Sequence, residues 1–138
     1  LWRTIADFGW DDATVPVLSV RVSAKPSAVS QITKSLQAIE SDVLQAAVIS
    51  QIGYGTVTAS WYGDKDVPNE SVAMLPGYAR DVVHKAEGRM IVERCPTEAK
   101  SEFDVWGDIG APLSTMRRMK DQYDPEGILN PGRFAGGI

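Results

Sequence analysis

At 138 residues and 15.0 kDa the chain is long enough to bury one core and too short for two ordinary domains. A net charge of -4, with Lys and Arg scattered rather than run together, excludes a basic nucleic-acid surface. The single cysteine, Cys95, excludes an internal disulfide framework, and no apolar run approaches the roughly 20 residues that a membrane-spanning helix needs. No signal-peptide pattern opens the sequence, so a soluble protein of a reducing, cytoplasmic compartment is expected. The chain begins at Leu1 without an initiator methionine and reads as a piece of something longer.

Residues 1–14 hold Trp2 and Trp10 among Asp7, Asp11 and Asp12 and show no clean period. From Val15 to Ala24 the chain alternates, with Leu18, Val20 and Val22 on one face and Ser19, Arg21 and Ser23 on the other, which predicts a half-buried strand. Lys25-Pro26-Ser27 signals a helix start, and Val29, Ile32, Leu36 and Ile39 form one apolar stripe. Val43 to Gln51 and Thr56 to Trp61 read as strands joined by a hairpin at Gly53-Tyr54-Gly55. A second helix carries Val72, Leu75, Val82, Val83 and Ala86. Pro76-Gly77 interrupts it, which places the main start near Pro76. Gly88 ends that helix, and Met90 to Cys95 predicts a fourth strand.

Strand, helix, strand, strand, helix, strand is the split βαβ, or ferredoxin-like, order. Right-handed crossovers then put both helices on one face of an antiparallel sheet with strand order 4-1-3-2. The predicted fold class is therefore α+β, and Ser19, Arg21, Thr58, Ser60 and Glu93 fall on the face away from the helices. Pro112 to Tyr123 predicts a further helix with Leu113, Met116, Met119 and Tyr123 along one stripe. Beyond it, Tyr123-Asp124-Pro125-Glu126-Gly127 and Asn130-Pro131-Gly132-Arg133 read as a helix exit and two turns around the apolar pair Ile128 and Leu129. Such a tail is an extended strap that presents Asn130 and Arg133 in fixed positions.

The segment from Met116 to Tyr123, the Asp124-Pro125 step, Asn130-Pro131-Gly132-Arg133, the ending Phe134-Ala135-Gly136-Gly137-Ile138 and the upstream Asp104-Val105-Trp106-Gly107 carry a resemblance. They resemble the C-terminal signature of FAD-linked oxidases of the vanillyl-alcohol oxidase type, and most of all that of the glycolate oxidase FAD-binding subunit, E type. Over residues 1–100 the likeness is one of general pattern. The resemblance implies a connecting segment over 1–14 from a flavin-binding domain outside this sequence, a ferredoxin-like cap over 15–97, and a helix and strap over 98–138. It implies FAD as the cofactor of the longer protein, and Asn130 near the flavin ring with Arg133 near a carboxylate or phosphate. The 138 residues alone lack the Gly-rich pyrophosphate loop such a site needs, and they contain no GxGxxG or GK[ST] pattern.

In such oxidases the cap's sheet forms one wall of the substrate pocket, so the resemblance makes Arg21, Thr58, Ser60 and Glu93 candidate contacts for a small 2-hydroxy acid such as glycolate. Arg21 on a central strand suits a bidentate carboxylate contact. An ordinary ion pair with Glu93 fits the same residues, and a polar face is also what a solvated antiparallel sheet shows. No catalytic residue is identified. The lone histidine, His84, sits between Val83 and Lys85 and reads as a surface residue, and a lone histidine and a lone cysteine lack any metal-ligand spacing. Related D-2-hydroxyacid dehydrogenases carry a histidine pair and a Glu-His step that this chain lacks. Two functions therefore stand side by side. One is the cap of an FAD-dependent oxidoreductase passing hydride from a 2-hydroxy acid to flavin. The other is a non-catalytic module that binds a partner subunit of an oxidase complex, a route to the inner face of a membrane. If no companion covers the apolar stripe of the tail, it is expected to pack either back on the cap or on a second copy of the chain, as a homodimer.

Overall fold

The structure, a computed structural model, describes residues 15–63 and 67–138, and the connecting segment assigned to 1–14 lies outside them. Two compact units divide between Val105 and Trp106. The first contains β1 (Leu18–Ser23), α1 (Pro26–Gln37), β2 (Leu44–Gln51), β3 (Thr56–Gly63), α2 (Asn69–Lys85) and β4 (Arg89–Arg94). The strands form one antiparallel sheet in the order β2-β3-β1-β4, the order that the alternation of elements predicts.

The apolar face of each element explains the arrangement. Leu18, Val20 and Val22 of β1 and Val57, Ala59 and Trp61 of β3 form one cluster with Val29, Ile32 and Leu36 of α1 and Val72, Leu75, Ala79 and Val83 of α2. Both helices therefore cover the same face of the sheet. Trp61 is fully buried, and its indole N–H donates to the Ile39 carbonyl at 2.7 Å, so the large ring enters the core without an orphaned polar group.

The second helix corrects one expectation. It starts at Asn69, and Pro76 lies inside it rather than near its start. Pro76 is itself buried, together with Val72, Leu75, Ala79 and Val83, so continuous packing along this side carries the helix through the residue that cannot donate to the preceding turn. The C-terminus is a Schellman closure: the Gly88 N–H reaches the Val83 carbonyl at 2.9 Å and the Glu87 N–H reaches His84 at 2.9 Å. The left-handed residue is Glu87, with φ 53, and not the glycine after it. Gly88 answers a different need, because a Cβ there would lie 3.0 Å from the Val83 side chain and 3.2 Å from the Ser23 carbonyl. Lys25, just before α1, pairs with Glu87 at 2.6 Å and ties the start of one helix to the end of the other.

The second unit contains α3 (Pro112–Tyr123) and the turns that follow it, ending in a short 3-10 segment at Ala135–Gly137. No residue of α3 is buried. Among the described residues no helix is long and apolar enough to cross a membrane.

Candidate functional site

Arg21 and Thr58 face one another across β1 and β3, and Ser19 faces Ser60. Ser60 is 2% exposed, and its hydroxyl is hydrogen bonded to that of Ser19 at 2.9 Å, so each supplies the other's partner. Thr58 is half-buried. The pairing of β1 with β4 slips between Ser19 and Val20, where Arg94 and Val92 are the successive partners and Glu93 is the extra residue of a bulge. From that bulge Glu93 reaches Arg21, Nε to Oε1 at 2.8 Å, with both side chains partly in water. An exposed pair of this kind contributes about 0.2–1 kcal/mol. The structure thus brings Arg21 and Glu93 together, sets Thr58 beside Arg21, and closes Ser60 onto Ser19.

Two other reactive side chains lie apart from this face. His84 is exposed on α2. Cys95 is partly buried against the core, and burial pushes its thiol up against a smaller opposing pull from Lys100, so the net effect disfavours the nucleophilic thiolate. Among the described residues no group of three His, Cys, Asp or Glu could hold a metal ion.

The tail unit is built around α3 by its own aromatic, packing and polar contacts. Trp106 meets Phe134 edge to face with ring centroids 4.8 Å apart, and the Trp106 indole N–H donates to the Arg133 carbonyl at 3.3 Å. Gly136, at φ 67, lies against α3. A Cβ there would come within 2.6 Å of the Leu113 side chain, so both the backbone conformation and the space require glycine. The turn from Asn130 to Arg133 closes with the Arg133 N–H on the Asn130 carbonyl at 3.3 Å. Pro131 and Gly132, at φ 70, take its middle places, the pattern of a type II turn.

Asp124 governs the loop between helix and turn. It is 7% exposed, and its two carboxylate oxygens accept from the amides of Ile128 and Leu129, each at 3.0 Å. Lys120, one turn earlier on α3, pairs with the same carboxylate at 2.5 Å and also donates to the Leu129 carbonyl. The Lys120 ammonium, then the Leu129 and Ile128 amides, hold the Asp124 carboxyl below its ordinary value against the opposing effect of burial. Sequence reasoning missed this residue. The available signal was an Asp-Pro step preceded by Lys at i-4 and followed by an apolar pair.

The bracing leaves apolar side chains outward: Met119 is 55% exposed, Leu129 60%, Tyr123 74% and Ile128 75%. Between α3 and the last turn runs a groove of about 510 Å³, walled by Met116, Met119, Leu129, Phe134 and Ile138, with Lys120, Asn130 and Arg133 as its polar members. Asn130 and Arg133, named from sequence as one pair, line this same groove. Such a surface suits an aromatic or aliphatic group that carries a polar or anionic edge.

Residues 108–134 match the family described as FAD linked oxidases, C-terminal domain. The chain therefore resembles the C-terminal part of FAD-linked oxidases over a stretch that contains α3, Asp124, Asn130 and Arg133. No curated protein and no solved structure matches the chain.

Proposed function

We propose that these residues are the cap and C-terminal strap of an FAD-dependent oxidoreductase subunit of the glycolate oxidase type, acting on a small 2-hydroxy acid. The observation that carries this reading is a coincidence of place: the family match at 108–134 covers nearly all of the groove and both of its polar turn residues. Met116, Met119 and Leu129 dock on a flavin-binding domain of the same protein, Asn130 offers its amide to the polar edge of the flavin ring, and Arg133 balances a carboxylate or phosphate. FAD, when bound, supplies the hydride acceptor. The chain's own residues orient and exclude water, and the open sheet face with Arg21 and Thr58, flanked by Glu93 and backed by the buried Ser19–Ser60 pair, forms a wall toward the substrate.

A second reading, a non-catalytic module for a partner subunit, is favoured by one observation. Arg21 already has Glu93 as its counter-charge, and a guanidinium so neutralised attracts a substrate carboxylate less strongly.

The parent protein, purified whole, should show flavin absorbance, and residues 1–138 alone should stay colourless. A folded parent without flavin overturns the proposal. Arg21→Lys in the parent separates the two readings, since lysine cannot reproduce the planar fork. Turnover that falls with an unchanged melting temperature supports the substrate wall, and unchanged turnover supports the second reading.

A further inference from the structure

The two edges of the sheet differ in how they are guarded. β4 carries Arg89, Glu93 and Arg94, contains a bulge, and has its outer side partly covered where the Val92 N–H donates to the Val105 carbonyl at 2.8 Å. β2, at the opposite edge, reads Leu44-Gln45-Ala46-Ala47-Val48-Ile49-Ser50-Gln51, with no charge, no proline and no bulge in its pairing to β3. Edge strands ordinarily carry one of these devices, because a bare row of N–H and C=O groups is a template for another strand.

The local contacts show which groups point outward. Ser41 exchanges backbone hydrogen bonds with Leu44, at 3.0 and 3.2 Å, and the Glu40 carboxylate lies 3.4 Å from the Ala46 N–H. Because the ladder alternates, the outward positions are residues 44, 46, 48 and 50. Among the described residues, the Ala46 carbonyl and the N–H and C=O of Val48 and Ser50 meet no hydrogen-bonding partner.

We propose that β2 pairs antiparallel with β2 of a second copy across a two-fold axis at Val48, joining two four-stranded sheets into one. The register follows from the outward positions: Val48 meets itself and Ala46 meets Ser50, each pair exchanging bonds in both directions. A two-fold strand pairing sets the strand against itself, so a charged residue near the axis would stand close to its own copy, and β2 has none. On the face away from the helices, Ala47 meets Ile49 of the second copy, an apolar cross-strand pair. The exposed Glu40 carboxylate must swing aside from the Ala46 N–H, and Ser41, already paired with Leu44, limits the new ladder to residues 46–50. The pairing rests on the sheet alone and not on the flavin reading.

Sedimentation of the 138-residue chain over the micromolar range should show a monomer–dimer equilibrium. Ser50→Pro removes an outward N–H that the β2–β3 ladder does not use, so it should leave the fold intact and weaken dimerisation about tenfold or more. A cross-link test leaves the β2 backbone unchanged. In a Cys95→Ser background, a mixture of Ala47→Cys and Ile49→Cys chains should oxidise to the mixed disulfide dimer, while Ala47→Cys alone should not cross-link. Three results would overturn the proposal: a strictly monomeric chain, cross-links between two Ala47→Cys chains in preference to mixed ones, or a dimer that survives Ser50→Pro and dissociates on Leu129→Glu.

Discussion

In residues 15–105 both helices send their large apolar side chains into one cluster, and Trp61, Ile32 and Leu36 are fully buried. In residues 106–138 no residue of α3 is buried, and Tyr123, Ile128 and Leu129 stand mostly in water. The sheet unit is held by the hydrophobic effect, and its conformation depends on what it buries. The tail is held by the bracket of Lys120 and Asp124, the Trp106 contacts and the proline and glycine turns. Its shape uses little of its apolar surface, chiefly the Trp106–Phe134 contact and Leu113 against Gly136, which leaves Met119, Tyr123, Ile128 and Leu129 presented in a defined form.

Substitution by size should expose this difference most strongly. Trp61→Ala should destabilise the chain by about 3–5 kcal/mol. Leu129→Ala, at an exposed site, should stay within about 0.5 kcal/mol. Denaturant unfolding of both variants checks the contrast, and equal losses would show that Leu129 belongs to a core.

Gly136→Ala comes next. A left-handed alanine costs about 1–2 kcal/mol, and its Cβ meets Leu113 besides, so hydrogen exchange in α3 should accelerate while the exchange of β1 and β3 stays as it was. A uniform acceleration in both units would merge the two into one cooperative block.

The smallest effect is one of pH. The Asp124 carboxyl titrates below its ordinary value of 3.8 in the folded tail, so its contribution is fully present above that value and is lost as pH falls through the lower, folded one. The Ile128 and Leu129 amide resonances should therefore move together at acid pH, below the range where free carboxylates titrate. Asp124→Asn should abolish that transition and leave the sheet resonances unaffected. A transition retained in Asp124→Asn would assign it to another carboxylate.

Much of the sheet unit was legible because its signals are periodic. Alternation in β1 and β3 and the stripe of Val29, Ile32 and Leu36 determine which face is buried, and the succession of elements with right-handed crossovers determines the sheet order. Pro76 was misread because local backbone preference pointed one way and buried packing on both sides of it prevailed. The left-handed residue at Glu87 was hidden by the glycine beside it, which serves close packing instead. Arg21 and Glu93 could be placed on neighbouring strands from sequence, yet the bulge that extends Glu93 to Arg21 has no local signature. In the tail, prolines and glycines announced the turns, and Asn130 with Arg133 followed from them. Asp124 escaped notice because its role depends on amides four and five residues ahead, which become neighbours only once the chain has turned.

The central claim is that the tail's exposed apolar groove is a docking surface for a flavin-binding domain. Hydrogen–deuterium exchange of residues 113–133, compared between the isolated 138-residue chain and the whole flavin-loaded parent, tests it most directly. The account predicts much slower exchange of this stretch in the parent, with the strands around Trp61 unchanged between the two. Equal protection of residues 113–133 in both would contradict it.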